Sequence, residues 1–251
     1  MFTKESPLRF SRLKMFNECP AYFAANPSWA GASQDKGTAV HAVLLQDKKV
    51  TYFDRVTDSG KAAPRNGRHW DDFQAAHAGE IILSRGDYED TMAMAESVRA
   101  NKDAMDLLRG PGVVNEATVE FDYLGVACRA TADARKPGVY VAELKSTKSS
   151  NPKHFERQCR QLSYHGQTSF YTLPENSPNR TIEQYIVAVA NTAPYITTVF
   201  KLNAATRVAG EKMVRGWMEQ LTGCLASKHF PAYSQGIAEL NLAYGDEDDA
   251  V

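Results

Sequence analysis

The hydrophobic pattern changes period once along the chain, near Glu116. Before that point apolar residues recur at helical spacing. Leu13, Phe16 and Phe23 mark a first helix with Ser11 as its N-cap, and Pro20 marks a break or a second helix start. Lys36-Gly37-Thr38 leads into Ala39 to Leu45, a short apolar helix that carries His41. The segment from Ser59 to His69 is rich in glycine, proline and basic residues and reads as a mobile loop. Trp70 to Leu108 reads as mostly helical and is closed by Arg109-Gly110-Pro111-Gly112.

From Glu116 the period becomes two. Ala117, Val119, Phe121 and Tyr123 alternate with polar residues, as a half-buried strand requires. Leu124-Gly125 turns the chain into a second strand, Val126 to Asp133, and Lys136-Pro137-Gly138 turns it into a third, Val139 to Lys145. A helix follows from Pro152 to Tyr171, then strands over Gln184–Ala190 and Tyr195–Leu202, then a helix from Ala204 to Ser227. On that last helix Val214, Trp217, Leu221 and Leu225 form one apolar stripe that belongs in a core. No internal repeat is present. The order predicts one α/β domain over residues 1–245, with a mostly helical part (1–112) preceding a sheet core and C-terminal helix (113–245). Residues 246–251, beginning Asp246-Glu247-Asp248-Asp249, read as a solvated acidic tail.

Composition narrows this picture only slightly. A chain of 251 residues, 43% hydrophobic and 24% charged, falls in the range of globular proteins. With 29 Lys and Arg against 30 Asp and Glu, any nucleic-acid binding must come from a local patch. Cys19, Cys128, Cys159 and Cys224 are scattered without a CxxC pair, which argues against a zinc ribbon or disulfide scaffold and suits a reducing compartment. No stretch of about 18 apolar residues is present, so no membrane partner is expected and the protein reads as cytoplasmic.

The chemistry lies in Arg129-Ala-Thr-Ala-Asp133 and Glu143-Leu-Lys145. On a strand, residues two apart share a face, so Glu143 and Lys145 point together while Tyr140, Ala142 and Leu144 face apolar packing. The hairpin with the preceding strand can bring Asp133 beside them. Adjacent carboxylates are costly unless compensated, and a hard divalent cation such as Mg²⁺ supplies the compensation. Such an ion would polarise a phosphoryl oxygen and activate water, and Lys145 could orient that water or stabilise charge on the phosphate. Phosphodiester hydrolysis is the reaction this would serve. On its own, an acid two residues before a strand lysine is commonplace, and a cross-strand surface ion pair reads it equally well. Gly37-x-x-x-His41 adds an imidazole at an apolar helix, and Gln167-x-x-x-Tyr171 puts an amide and a phenol one turn apart on a helix. Taken singly, a core histidine and plain helix residues explain them too; their order around the strand motif is harder to set aside.

That order, GxxxH, D…(D/E)xK, QxxxY, resembles the RecB-like branch of the PD-(D/E)XK nucleases, and within it the RecE (exodeoxyribonuclease VIII) nuclease domain and its phage-borne relatives. The segments that carry the resemblance are SRLKMFNECPAYF (11–23), KGTAVHAVLL (36–45), CRATADA (128–134), VAELKST (141–147) and YHGQTSFY (164–171). It implies a restriction-endonuclease-like α/β core, a central mixed sheet flanked by helices, with an N-terminal helical addition. It implies that His41, Asp133, Glu143 and the Leu144 carbonyl ligate Mg²⁺, with Mn²⁺ a possible substitute, that Lys145 is the catalytic lysine, and that Gln167 and Tyr171 steady the site or the DNA end. It further implies degradation of linear double-stranded DNA from 5′ ends, 3′ overhangs passed to a single-strand annealing protein, a ring-shaped homotetramer, and a bacterial host cell with phage origin open. Ala132 stands where the motif name has proline, and Glu143 where aspartate is frequent. No iron–sulfur cluster is expected, because Cys19 lacks a clustered C-terminal triplet.

Lys145, Lys148, Lys153, Arg157 and Arg160, against the single acid Glu156, would neutralise phosphates beside the centre. Lys61, Arg65 and Arg68 could guide a strand from the mobile loop. A solvated basic face explains the same residues. Two other functions fit the chain, a structure-specific endonuclease with the same centre and a non-catalytic DNA-binding recombination scaffold.

Overall fold

A computed structural model of the chain describes residues 6–25, 36–57, 59–177, 179–234 and 236–240. The acidic tail lies outside these residues. The chain opens with two short helices, α1 (Phe10–Glu18) and α2 (Pro20–Ala25), which bury Leu13, Phe16 and Phe23 as their spacing predicts. The N-cap is Arg9, without a side-chain cap, and not Ser11. Leu8 is bonded to the strand residues Ala127 and Arg129, so the helix starts as soon as the chain leaves that strand. Helix α3 (Lys36–Leu45) carries His41.

The stretch from Trp70 to Leu108, expected to be mostly helical, is interrupted by one short strand, and another short strand precedes it. Strands β1 (Val50–Tyr52) and β2 (Ile81–Leu83) pair in parallel around α4 (Arg68–Ala76), followed by α5 (Arg85–Ala100) and α6 (Lys102–Arg109). Ser84 and Asn101 cap the last two, each accepting a backbone N–H three residues on.

The central sheet has the order β3 (Val114–Asn115), β6 (Ala134–Lys136), β7 (Tyr140–Thr147), β8 (Glu183–Ala190), β9 (Thr197–Lys201). Only β7 and β8 run parallel, which makes the sheet mixed. The other hairpin, β4 (Thr118–Tyr123) with β5 (Val126–Thr131), turns through Leu124 and Gly125, both at positive φ, and forms a separate ribbon. The strand expected from Val126 to Asp133 ends at Thr131; Ala132-Asp133 carries the chain from ribbon to sheet, where β6 follows from Ala134.

Helices cover both faces of the sheet. On one face Ala142, Leu144, Val187 and Val189 pack with Val40 and Leu44 of α3 and Met94 and Val98 of α5. On the other, Ile186 and Ala188 pack with Phe155 of α7 (Pro152–Leu162). Helix α8 (Tyr164–Thr172) follows α7, and the two are not the single helix expected, because Ser163 sits in the left-handed region between them at φ 59°. The long α9 (Ala204–Ser227) closes over α8, and Phe10, Phe170, Val214, Met218 and Leu221 form a second core there. The architecture is the expected α/β one, a central mixed sheet flanked by helices, with α3 and α5 from the N-terminal part covering one of its faces. Among the described residues, no helix is long and apolar enough to cross a membrane.

Candidate metal and active centre

The centre forms where β6 runs out. Ala134 is the last β6 residue paired with β7, opposite Ala142, so the next backbone donor of β7 on that side, Leu144 N–H, has no strand partner. The Asp133 carboxylate takes its place: Oδ2 accepts from Leu144 N at 2.7 Å. The N–H and C=O of a strand residue point the same way, so the Leu144 carbonyl also faces Asp133. In return the Asp133 N–H donates to Glu143 Oε1 at 3.1 Å. Glu143 and Lys145 share a face of β7, and Lys145 Nζ donates to Glu143 Oε2 at 2.7 Å. His41 comes in from α3, its Nδ1 lying 3.4 Å from Asp133 Oδ1.

Burial sets the electrostatics. Glu143 is 2% exposed and Asp133 8%. Burial and the Asp133 charge push the Glu143 carboxyl up to about 7, against the pull of Lys145. Burial works on Asp133 in the same direction, but His41, Lys145 and the Leu144 N–H together hold it below its ordinary value. Burial disfavours charge on His41, yet the adjoining Asp133 carboxylate leaves the imidazole above the usual histidine value. Lys145 is likewise opposed by burial and held firmly protonated by Glu143 and Asp133. Tyr171 is pushed up by burial and by Glu143, so its phenol stays neutral and accepts from Gln167 Nε2 at 3.0 Å.

Two grooves meet at this point. One, of about 690 Å³, is lined by His41, Asp133 and Ser146; the other, of about 460 Å³, by Lys145, Gln167 and Tyr171. Glu116 lines both. Its N–H donates to the Asp133 carbonyl at 3.2 Å, and single ligand atoms of His41, Glu116 and Asp133 lie within 4.8 Å of one another. Carboxylates and an imidazole around one opening suit a divalent cation with oxygen and nitrogen ligands. The buried like charges of Asp133 and Glu143 supply the reason to bind one.

The family described as "PDDEXK-like domain of unknown function (DUF3799)" matches residues 9–242. The chain belongs to this family. The superfamily expected from Asp133, Glu143 and Lys145 is thus the one found, and the restriction-endonuclease-like core with it. Among solved structures, the "putative exonuclease" from Eubacterium rectale aligns over 97% of this chain and 96% of its own, at TM-score 0.63 and 12% identity, a likeness of fold. Another, SSO0001, covers 90% of this chain and 96% of its own at 11% identity, and at TM-score 0.29 carries no argument. No curated protein matches.

Within this DUF3799 fold the remaining candidate residues separate clearly. Gln167 and Tyr171 lie beside Lys145, held there by α8; Arg135, buried, ties α8 to β6 through the Tyr171 carbonyl at 2.8 Å and the Glu175 carboxylate. Lys148 and Arg157 line a smaller groove that shares Ser146 with the His41 groove. Lys153 is exposed on α7, and Arg160 pairs with Glu156 at 3.8 Å beside a different cavity. In the loop expected to be mobile, Arg65 is committed to the Leu83 carbonyl and the Trp70 ring, Lys61 is exposed, and Arg68 opens α4, paired with Asp72 at 3.8 Å. Sequence reasoning missed two residues. Tyr164 lies with its ring 5.2 Å from Lys145 Nζ. Glu116 was visible only as the start of a strand.

Proposed function

We propose that this chain is a divalent-metal-dependent exodeoxyribonuclease acting on linear double-stranded DNA. It digests 5′→3′ and leaves 3′ overhangs for a single-strand annealing protein in recombination. The observation that carries the reading is the linked set His41, Asp133, Glu143 and Lys145, in which His41 and Asp133 line one groove, Lys145 lines the adjoining one, and the buried Glu143 joins Asp133 to Lys145. The order of the RecE-like motifs and the fold shared with the Eubacterium rectale protein, described as a putative exonuclease, support the choice of exonuclease over endonuclease. The same resemblance supports a ring-shaped homotetramer in the cytoplasm of a bacterial host, with a phage origin open.

In this reading Asp133, Glu143, His41 and the Leu144 carbonyl would hold Mg²⁺, and Mn²⁺ could substitute for it. When bound, the ion supplies Lewis acidity that stabilises charge on a phosphoryl oxygen and makes water a better nucleophile. Lys145, held protonated, lines the adjoining groove and would stabilise the charge that grows on the phosphate as the water oxygen bonds to phosphorus and the leaving oxygen departs. Gln167, through Tyr171, braces the wall against which the DNA end rests. Glu143 is held between the Asp133 N–H and Lys145, so that ion and lysine stay in register.

The test is purified protein with linear and with closed circular duplex DNA, in Mg²⁺, in Mn²⁺ and in chelator. Loss of linear DNA alone, abolished by chelator and by Asp133→Ala, Glu143→Ala or Lys145→Ala, is the expected result. Equal cutting of closed circles would move the reading to an endonuclease. DNA binding without cleavage in either metal would leave a recombination scaffold.

A further inference from the structure

We propose that Glu116 is a direct ligand of the divalent cation, together with His41 and Asp133. The proposal deepens the nuclease reading and rests on it for what the ion does. Glu116 lies outside the motif pattern, seventeen residues before Asp133 in sequence, and reaches the centre through the sheet edge. Strand β3 pairs with β6, Asn115 opposite Ala134, and the chain then turns at Glu116 with φ 52°. The left-handed region is disfavoured for a residue with a Cβ, and here that conformation goes with a carboxylate delivered beside His41 and Asp133.

The hydrogen bonding of the two glutamates differs in a way that matters. Both oxygens of Glu143 are engaged within the protein, one by the Asp133 N–H and one by Lys145. Glu116 Oε1 accepts from the neutral Gln46 amide at 3.2 Å, a bond that positions the carboxylate without neutralising it. An acid steered by an amide toward another acid and an imidazole is what a cation needs as a ligand, since the approach of two anions is favourable only with the cation between them. Glu116 also forms the shared lip of the two grooves, so an ion that it holds is open to the side of Lys145 as well as to that of His41.

Mn²⁺ titrated calorimetrically into the wild-type protein and Glu116→Gln, without DNA, tests this. Even outer-shell changes typically weaken metal binding about 10- to 100-fold, so Glu116→Gln should bind Mn²⁺ at least about tenfold more weakly while melting like the wild type without metal. Affinity within about twofold of wild type overturns the proposal. Should Glu116→Gln fail to fold, wild-type crystals soaked in Mn²⁺ decide: an anomalous peak in contact with the Glu116 carboxylate supports it, and one that contacts Asp133 but not Glu116 overturns it. The two readings fail separately. Weaker Mn²⁺ binding in Glu116→Gln, together with intact linear DNA under the wild type, would sink the nuclease and keep the ligand; rapid digestion with unchanged Mn²⁺ affinity would do the reverse.

Discussion

Lys145 is the residue on which charge balance in the centre turns. It is buried against Glu143, and truncating one member of such a pair leaves the other charge uncompensated, a loss of about 3–5 kcal/mol in general. Glu143 has an escape, because its carboxyl already lies at about 7 beside the ammonium, and without Lys145 it rises further. A carboxyl raised in the folded state stabilises the fold below its unfolded value, ordinarily 4.5, and that contribution is lost as pH rises through the folded value. Lys145→Met should therefore lose little stability near pH 5 and be about 1 kcal/mol less stable than the wild type near pH 8, because above a folded value of about 7 each further pH unit adds at most about 1.4 kcal/mol to the difference. Urea denaturation in chelator at the two pH values checks this, and an equal deficit at both would contradict it. Cleavage by the same variant should fall by at least about 10²-fold, the usual loss when one stabilising donor is removed.

At the scale of elements, the wall bearing Gln167 and Tyr171 depends on how closely α8 and α9 approach. They cross at Gly210, where a methyl group would lie 2.3 Å from the His165 carbonyl oxygen and 2.4 Å from Ser169 Oγ. The backbone oxygen cannot step aside, so Gly210→Ala must part the helices. Overpacking of this kind costs typically 1–3 kcal/mol, roughly a 2–12 °C lower Tm for a chain of this size. Gly166→Ala, whose nearest neighbour is the flexible Met213 side chain at 2.9 Å, should cost less, and matched thermal melts would show the order; a wild-type Tm for Gly210→Ala would mean the helices are not locked there. α9 and β4 were legible in the sequence because one face of each is more covered than the other along its length, and β7 because its apolar run is bounded by the Lys136-Pro137-Gly138 turn. The three-residue β1 and β2 were not, being too short to show a period, β2 moreover inside a stretch of helical spacing, and nothing local marks Ser163 for the left-handed break. The site was legible where local strand geometry brings residues together, as with Glu143 and Lys145. Glu116 and Tyr164 reach it through strand pairing and helix packing, which no spacing in the sequence encodes.

For the whole molecule, the proposed function asks which of its cations would meet DNA. The basic run from Lys145 to Arg160 winds around α7, and the helix sends its charges in different directions. Lys148 and Arg157 line a groove that joins the His41 groove at Ser146, on the path a strand leaving the metal centre would follow. Arg160 borders a mainly apolar cavity with Phe155 and Cys159, paired to Glu156. Each phosphate neutralised on duplex DNA contributes about −0.9 to the slope of log affinity against log salt. If Lys148 and Arg157 hold phosphates, the double alanine variant should bind linear duplex more weakly at low salt, with a slope shallower by about 1.8. Lys153→Ala with Arg160→Ala should leave the slope within about 0.3 of wild type, since exposed cations far from the strand release no counterions on binding. Binding isotherms across a salt series, with chelator present to prevent digestion, give both slopes. If the second pair lowers the slope and the first does not, the DNA runs along the outer face of α7, and the groove through Ser146 is not its path.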